Sequence, residues 1–136
     1  MITFILDSSA AIRFLEKSAG WERVTEVLKD NLIGACSVIV PAIQWGEIAG
    51  KSRKEAGPGA QRRAMAMLSE LLITPTPANP EHAVRAAELK VGRKISYADA
   101  FAVELAMRTP DHVLLTADYG FKAVDDLARI EFLPPV

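Results

Sequence analysis

Four acidic side chains, Asp7, Glu47, Asp99 and Asp118, occupy positions in this 136-residue sequence where they could hold a divalent cation. Asp7 directly follows the apolar run Thr3-Phe4-Ile5-Leu6, and Asp118 lies two residues beyond Leu114-Leu115-Thr116. Glu47 sits among Ala42, Ile43, Trp45 and Ile48, and Asp99 lies at the start of a helical segment opened by Ser96. Carboxylates gathered out of water repel one another and are costly unless a cation neutralises them. Hard oxygen donors in this number suit Mg²⁺ or Mn²⁺, ions that keep several waters and bind substrate phosphates. Three of the acids also have a local use: Asp7 and Asp99 as helix caps, Asp118 as the start of a loop. Glu47 has no such local partner on its apolar stretch.

Competing chemistries have less support. Ser8 and Ser9 have no paired base and no nucleophile-elbow motif, which argues against triad hydrolysis. His82 and His112 each lack a neighbouring second ligand. A single cysteine, Cys36, excludes an internal disulfide and a thiolate zinc site, and inside an apolar run it reads as a small core residue. Met65 and Met67 read as core or interface filling on a helix. No glycine-rich loop is present to cradle a nucleotide phosphate.

The acids need elements to position them, and strands alternate with helices along the chain. Short runs at residues 3–6 and 35–40 predict buried strands, and residues 73–74 (stopped by Pro75 and Pro77), 112–116 and 130–133 predict three more. Helical patterns occupy residues 10–15 and 21–30, a segment from Pro41 to about Gly50, and residues 60–72 after a break at Gly57-Pro58-Gly59. Asn79-Pro80 starts another helix that Gly92 ends, Ser96 caps one through Arg108, and a short helix lies near residues 119–128. Such alternation predicts a three-layer α/β/α arrangement around a mainly parallel five-stranded sheet, in one domain over residues 1–136. In open α/β sheets ligands bind beyond the carboxyl ends of the strands, so the acids converge if strands one and four are neighbours.

Composition sets the outer bounds. Half of the residues are hydrophobic and 24 % are charged, which excludes disorder, coiled coil and collagen. No apolar run reaches membrane-spanning length, and the N-terminus lacks the basic n-region and cleavage site of a signal peptide, so a cytoplasmic location is expected. Sixteen basic and 17 acidic residues nearly cancel, but they are segregated. Residues 1–50 carry four basic and six acidic side chains, residues 51–94 nine and four, and residues 95–136 three and seven. A basic middle between acidic ends is compatible with a polyanionic substrate once the acids hold a cation.

Ile5-Leu6-Asp7-Ser8-Ser9-Ala10, Val40-Pro41-Ala42 followed by Glu47, Ser96-Tyr97-Ala98-Asp99-Ala100, and Leu114-Leu115-Thr116-Ala117-Asp118 occur in this order. Together, over nearly the whole chain, they resemble the PIN-domain family, and within it the VapC-type toxin ribonucleases. That resemblance implies a Rossmann-like α/β/α sandwich and an endonuclease that hydrolyses RNA phosphodiesters with Mg²⁺ or Mn²⁺. Asp7, Glu47, Asp99 and Asp118 would be its acidic residues, with Ser9 and Thr116 as supporting hydroxyls. Asp7 and Asp99 would hold the metal, Asp118 would assist directly or through water, and Glu47 would coordinate or orient the attacking water. Many members carry a second acid just after the last motif, where this chain has Gly120. Arg13, Arg93 and Lys94 are candidates to hold RNA phosphates beside the acids, extended by Lys51, Arg53, Lys54, Arg62 and Arg63. The resemblance also implies a homodimer and a small VapB-like antitoxin laid over the acidic residues, with Ile12, Phe14, Leu15 and Trp45 offering apolar surface. Two alternatives stay open: a PIN nuclease of RNA processing without an antitoxin, and a non-catalytic RNA- or protein-binding PIN module. A receiver domain is disfavoured, because the third strand ends in Ile73-Thr74-Pro75 without an acid.

Overall fold

Residues 1–135 are described by the structure, a computed structural model; the last residue of the domain expected over 1–136 lies outside them. Five strands, β1 (Thr3–Leu6), β2 (Ser37–Pro41), β3 (Thr74–Thr76), β4 (His112–Thr116) and β5 (Ile130–Phe132), form one sheet in the order β3-β2-β1-β4-β5. Every pairing is parallel, so the expected mainly parallel sheet is parallel throughout. The helices are α1 (Ser8–Glu16), α2 (Trp21–Leu32), α3 (Ala42–Glu70), α4 (Pro80–Gly92) and α5 (Tyr97–Met107), with a 3₁₀ helix at Tyr119–Val124.

Because side chains alternate across a strand, the apolar runs serve two cores. Phe4 and Leu6 of β1, with Val38, Val40, Val113 and Leu115, pack against Ala10, Val24, Leu28, Ile48 and Leu68 from α1, α2 and α3. Ile5 and Leu114 face the other way, into Ala86, Phe101, Val103 and Leu105 of α4 and α5 together with Phe121 and Val124. This is the expected α/β/α sandwich. Each fully buried large aliphatic side chain contributes about 1.5–3 kcal/mol relative to exposure.

β1 is paired with β2 on one side and β4 on the other, in register Thr3 to His112 through Leu6 to Leu115. The chain therefore winds outward in one direction through β2 and β3, then returns to start in the other direction at β4. The switch point lies between β1 and β4, where such sheets bind ligands. Asp7 and Asp118 follow these two strands.

Several boundaries differ from expectation for identifiable reasons. Pro41 ends β2 in extended conformation instead of entering the helix. The helix after it does not stop near Gly50 but runs on to a single non-helical residue, Gly57, before resuming. β3 continues through Pro75, which an edge strand tolerates because only one of its sides needs a ladder. The last short helix is 3₁₀ and ends at Val124.

α5 is buried on most of its circumference and contains Glu104, which is only 6 % exposed. Arg85 and Arg108 donate to its carboxylate at 2.7 Å each, and His82 Nε2 lies 3.0 Å away. Burial raises the Glu104 pKa, but the hydrogen bonds from Arg108 and Arg85 outweigh it and the carboxyl lies below its usual range. His82 is accordingly a core residue that ties α4 to α5.

Candidate active site

Asp7 terminates β1 and caps α1, accepting a hydrogen bond from the Ala10 backbone N–H at 3.0 Å. Its side chain is buried, and two hydroxyls donate to it: Ser9 at 2.8 Å to Oδ1 and Thr116 at 2.7 Å to Oδ2. These hydroxyls in turn accept backbone N–H groups from the β4 end, Ala117 onto Ser9 at 2.9 Å and Asp118 onto Thr116 at 2.9 Å. The network joins the carboxyl ends of β1 and β4 across the switch point. Three donors favour the anion, yet burial outweighs them and pushes the Asp7 pKa up to about 6, with the Asp99 charge adding to the rise.

Asp99 lies in the first turn of α5, its N–H bonded to the capping Ser96 hydroxyl at 3.1 Å. Its pKa is also raised to about 6, by burial first, against the Ser96 hydrogen bond, and then by the charges of Asp118 and Glu47. All four acids are thus in electrostatic contact: Asp7 with Asp99, and Asp99 with Asp118 and Glu47. Asp118 is exposed, and its carboxylate folds back to accept the Gly120 N–H at 2.8 Å. A Cβ at position 120 would lie 3.0 Å from Asp118 Oδ1. Gly120, having no Cβ, spares this carboxylate conformation a tight contact.

Glu47 does not sit on the buried face of α3, as its apolar neighbours suggested. Gln44 and Ile48 take that face, and Glu47, three residues after Gln44, is exposed. Gln44 was not singled out from the sequence, although its i, i+4 relation to Ile48 marks its face. Its Nε2 donates to the Ala98 carbonyl at 2.6 Å, next to Asp99.

Two of the three expected phosphate-binding cations already have partners. Arg13 donates to the carbonyls of Ala19 at 2.6 Å and Pro134 at 3.3 Å. Arg93 forms a two-pronged pair with Asp126 at 2.7 and 2.9 Å and reaches the Ala123 carbonyl. Lys94 is exposed and forms no ion pair among the described residues.

The donor set fits a hard divalent cation: all oxygen, two carboxyls already destabilised as anions by burial and by each other. Among the described residues there is no group of three Asp, Glu, His or Cys side chains that could by itself hold a metal ion. Mg²⁺ does not need one, since it is held by one or two carboxylates with waters and phosphates completing its shell. Two surface cavities lie away from the acids. One of about 390 Å³ is lined by Arg85, Leu89 and Met107, and one of about 340 Å³ by Ile12, Leu15, Lys51 and Met67 between α1 and α3.

The family model described as PIN domain matches residues 4–127, which includes all of β1 but Thr3, the switch point and all four acids. The chain belongs to the PIN domain family. Solved structures share this PIN fold over almost the full chain at low identity. A chain of VapBC2 from Rickettsia felis, bound to a DNA fragment of its promoter, is similar at a TM-score of 0.74 and 15 % identity, covering 98 % of this chain and 100 % of that one. DNA-bound VapBC from Salmonella typhimurium gives 0.68 and 19 %, over 97 % and 98 %. VapC20 from Mycobacterium tuberculosis, a sarcin-ricin loop cleaving toxin, gives 0.67 and 18 %, over 96 % and 99 %. Among curated proteins no sequence matches. Among the described residues no helix is long and apolar enough to cross a membrane.

Proposed function

We propose that this PIN domain protein is a Mg²⁺- or Mn²⁺-dependent RNA endonuclease, the toxin of a VapBC-like toxin–antitoxin pair acting in the cytoplasm. The observation that carries the reading is Asp7, buried at the switch point with three hydrogen-bond donors and a raised pKa, in electrostatic contact with Asp99. A divalent ion held there supplies Lewis acidity at the phosphodiester and lowers the pKa of a water. Asp7 and Asp99 would hold the ion, with Asp118 assisting directly or through water. Glu47 coordinates or takes the proton from the attacking water, and its exposure leaves it accessible to substrate. Ser9 and Thr116 fix the Asp7 carboxylate in one orientation, so that its oxygens are aimed before substrate arrives.

Lys94 and the exposed Lys51, Arg53, Lys54, Arg62 and Arg63 of α3 supply the phosphate track, with Arg13 and Arg93 committed largely to structure. The VapBC complexes among the similar folds support a small antitoxin as partner. The groove between α1 and α3, lined by Ile12, Leu15 and Met67, is the surface we assign to it. A homodimer is part of the same reading.

Cleavage of RNA by the wild type, Asp7→Asn and Asp99→Asn, each with Mg²⁺, Mn²⁺ or EDTA, tests the proposal. Wild-type cleavage should stop in EDTA, and each variant should lose at least about 100-fold in rate. Wild-type cleavage that survives EDTA, or two fully active variants, would sink it.

A further inference from the structure

Gln44 is fully buried, yet only half of its amide is satisfied. Nε2 donates to the Ala98 carbonyl at 2.6 Å, while Oε1 has no partner in the protein. Methionine or leucine would fill similar space on this face without burying an unpaired acceptor, so packing alone gives no reason for an amide here. Its one hydrogen bond crosses from α3 to the first turn of α5, one residue before Asp99. Gln44 also lies three residues before Glu47, so the two share a stretch of α3.

We infer that Gln44 is a positioning residue. By pinning the first turn of α5 to α3 it sets the separation between Asp99 and Glu47, and through it the affinity of the acidic site for a divalent cation. This is the one hydrogen bond between α3 and α5 among the described residues, so without it the two helices keep only non-directional contacts at that seam. The inference rests on reading Asp99 as a metal ligand.

The test is Mn²⁺ binding to the RNA-free protein, followed by the free-Mn²⁺ electron paramagnetic resonance signal, for wild type, Gln44→Met, Gln44→Leu, Asp99→Asn and the Gln44→Met/Asp99→Asn double variant. Folding of each is checked by circular dichroism and thermal melting. The Gln44 variants should fold with unchanged or higher melting temperature in EDTA and bind Mn²⁺ about 10-fold more weakly. In the Asp99→Asn background Gln44→Met should have little further effect, because its influence passes through Asp99. Wild-type Mn²⁺ affinity in folded Gln44 variants overturns the inference, as do additive effects in the double variant or failure of both apolar variants to fold. If Asp99→Asn itself binds Mn²⁺ like the wild type, the metal-ligand reading fails first; if Asp99→Asn weakens binding and Gln44→Met does not, only the role of Gln44 fails.

Discussion

The carboxyl of Asp7 opposes folding at neutral pH. Its folded pKa of about 6 lies above the ordinary carboxyl value of 3.8, so the folded state binds the proton more tightly and stability falls as pH rises from about 4 through 6. At 1.36 kcal/mol per unit, that shift removes about 3 kcal/mol by pH 8, on the order of 10 °C in Tm for a domain of this size. Glu104 works in the opposite sense and in a lower window, since its depressed pKa gives stability that is lost only as pH drops below the usual carboxylate range. Thermal melts in EDTA should therefore give a higher Tm at pH 5 than at pH 8, and Asp7→Asn should reduce the difference to the part that comes from Asp99. Mn²⁺ should raise Tm more at pH 8 than at pH 5, because it binds the anionic form. A Tm in EDTA that is flat or rising between these pH values would refute the assignment. At this scale the sequence located Asp7, Asp99 and Asp118 by strand ends and caps, features that chain connectivity enforces. It misplaced Glu47 relative to Gln44, since the two sit on adjacent arcs of one helix and apolar neighbours on both sides do not separate them.

Among the elements, α3 carries the sharpest local demand. Gly57 has φ 86° and ψ 176°, a conformation that side chains rarely adopt, while no atom lies within 4 Å of a Cβ built there. Gly57→Ala should cost about 1–3 kcal/mol through backbone strain alone. Gly50, exposed in the same helix and with equal space around it, has no positive φ. Gly50→Ala should stabilise by roughly 0.5–1 kcal/mol, and urea unfolding of the pair measures the two opposite signs. A stabilised Gly57→Ala variant would mean that the backbone turn is not required. The Gly57-Pro58-Gly59 sequence announced an interruption, but its extent depends on what surrounds it. Residues 51–56 include Lys, Arg, Glu and Ala, good helix formers that carry the helix up to the last residue before Gly57. Strands were legible because burial on both faces leaves a continuous apolar run; β3, at an edge and containing Pro75, leaves almost none.

For the whole molecule, net charge was a poor guide because the two signs have different jobs. Acidic residues gather at the switch point and in pairs that brace the structure, such as Asp126 with Arg93 and Glu131 with Arg23. Lys94→Glu should weaken RNA binding and reduce the slope of log affinity against log salt by about one, as measured by titrations at several salt concentrations. Arg93→Glu should in addition lower Tm, since it sets two acids face to face at position 126; unchanged RNA binding in both would exclude this region from the track. The order of the strands has one more consequence. The sheet ends in strands of three residues on both sides, one of them containing a proline that has no N–H to offer. Neither rim gives another polypeptide enough hydrogen-bonding length to be extended by strand addition, so the fold is protected from end-to-end fibre growth. Association of this chain, with itself or with an inhibitor, is thereby directed away from the sheet edges and toward the helical and loop surfaces.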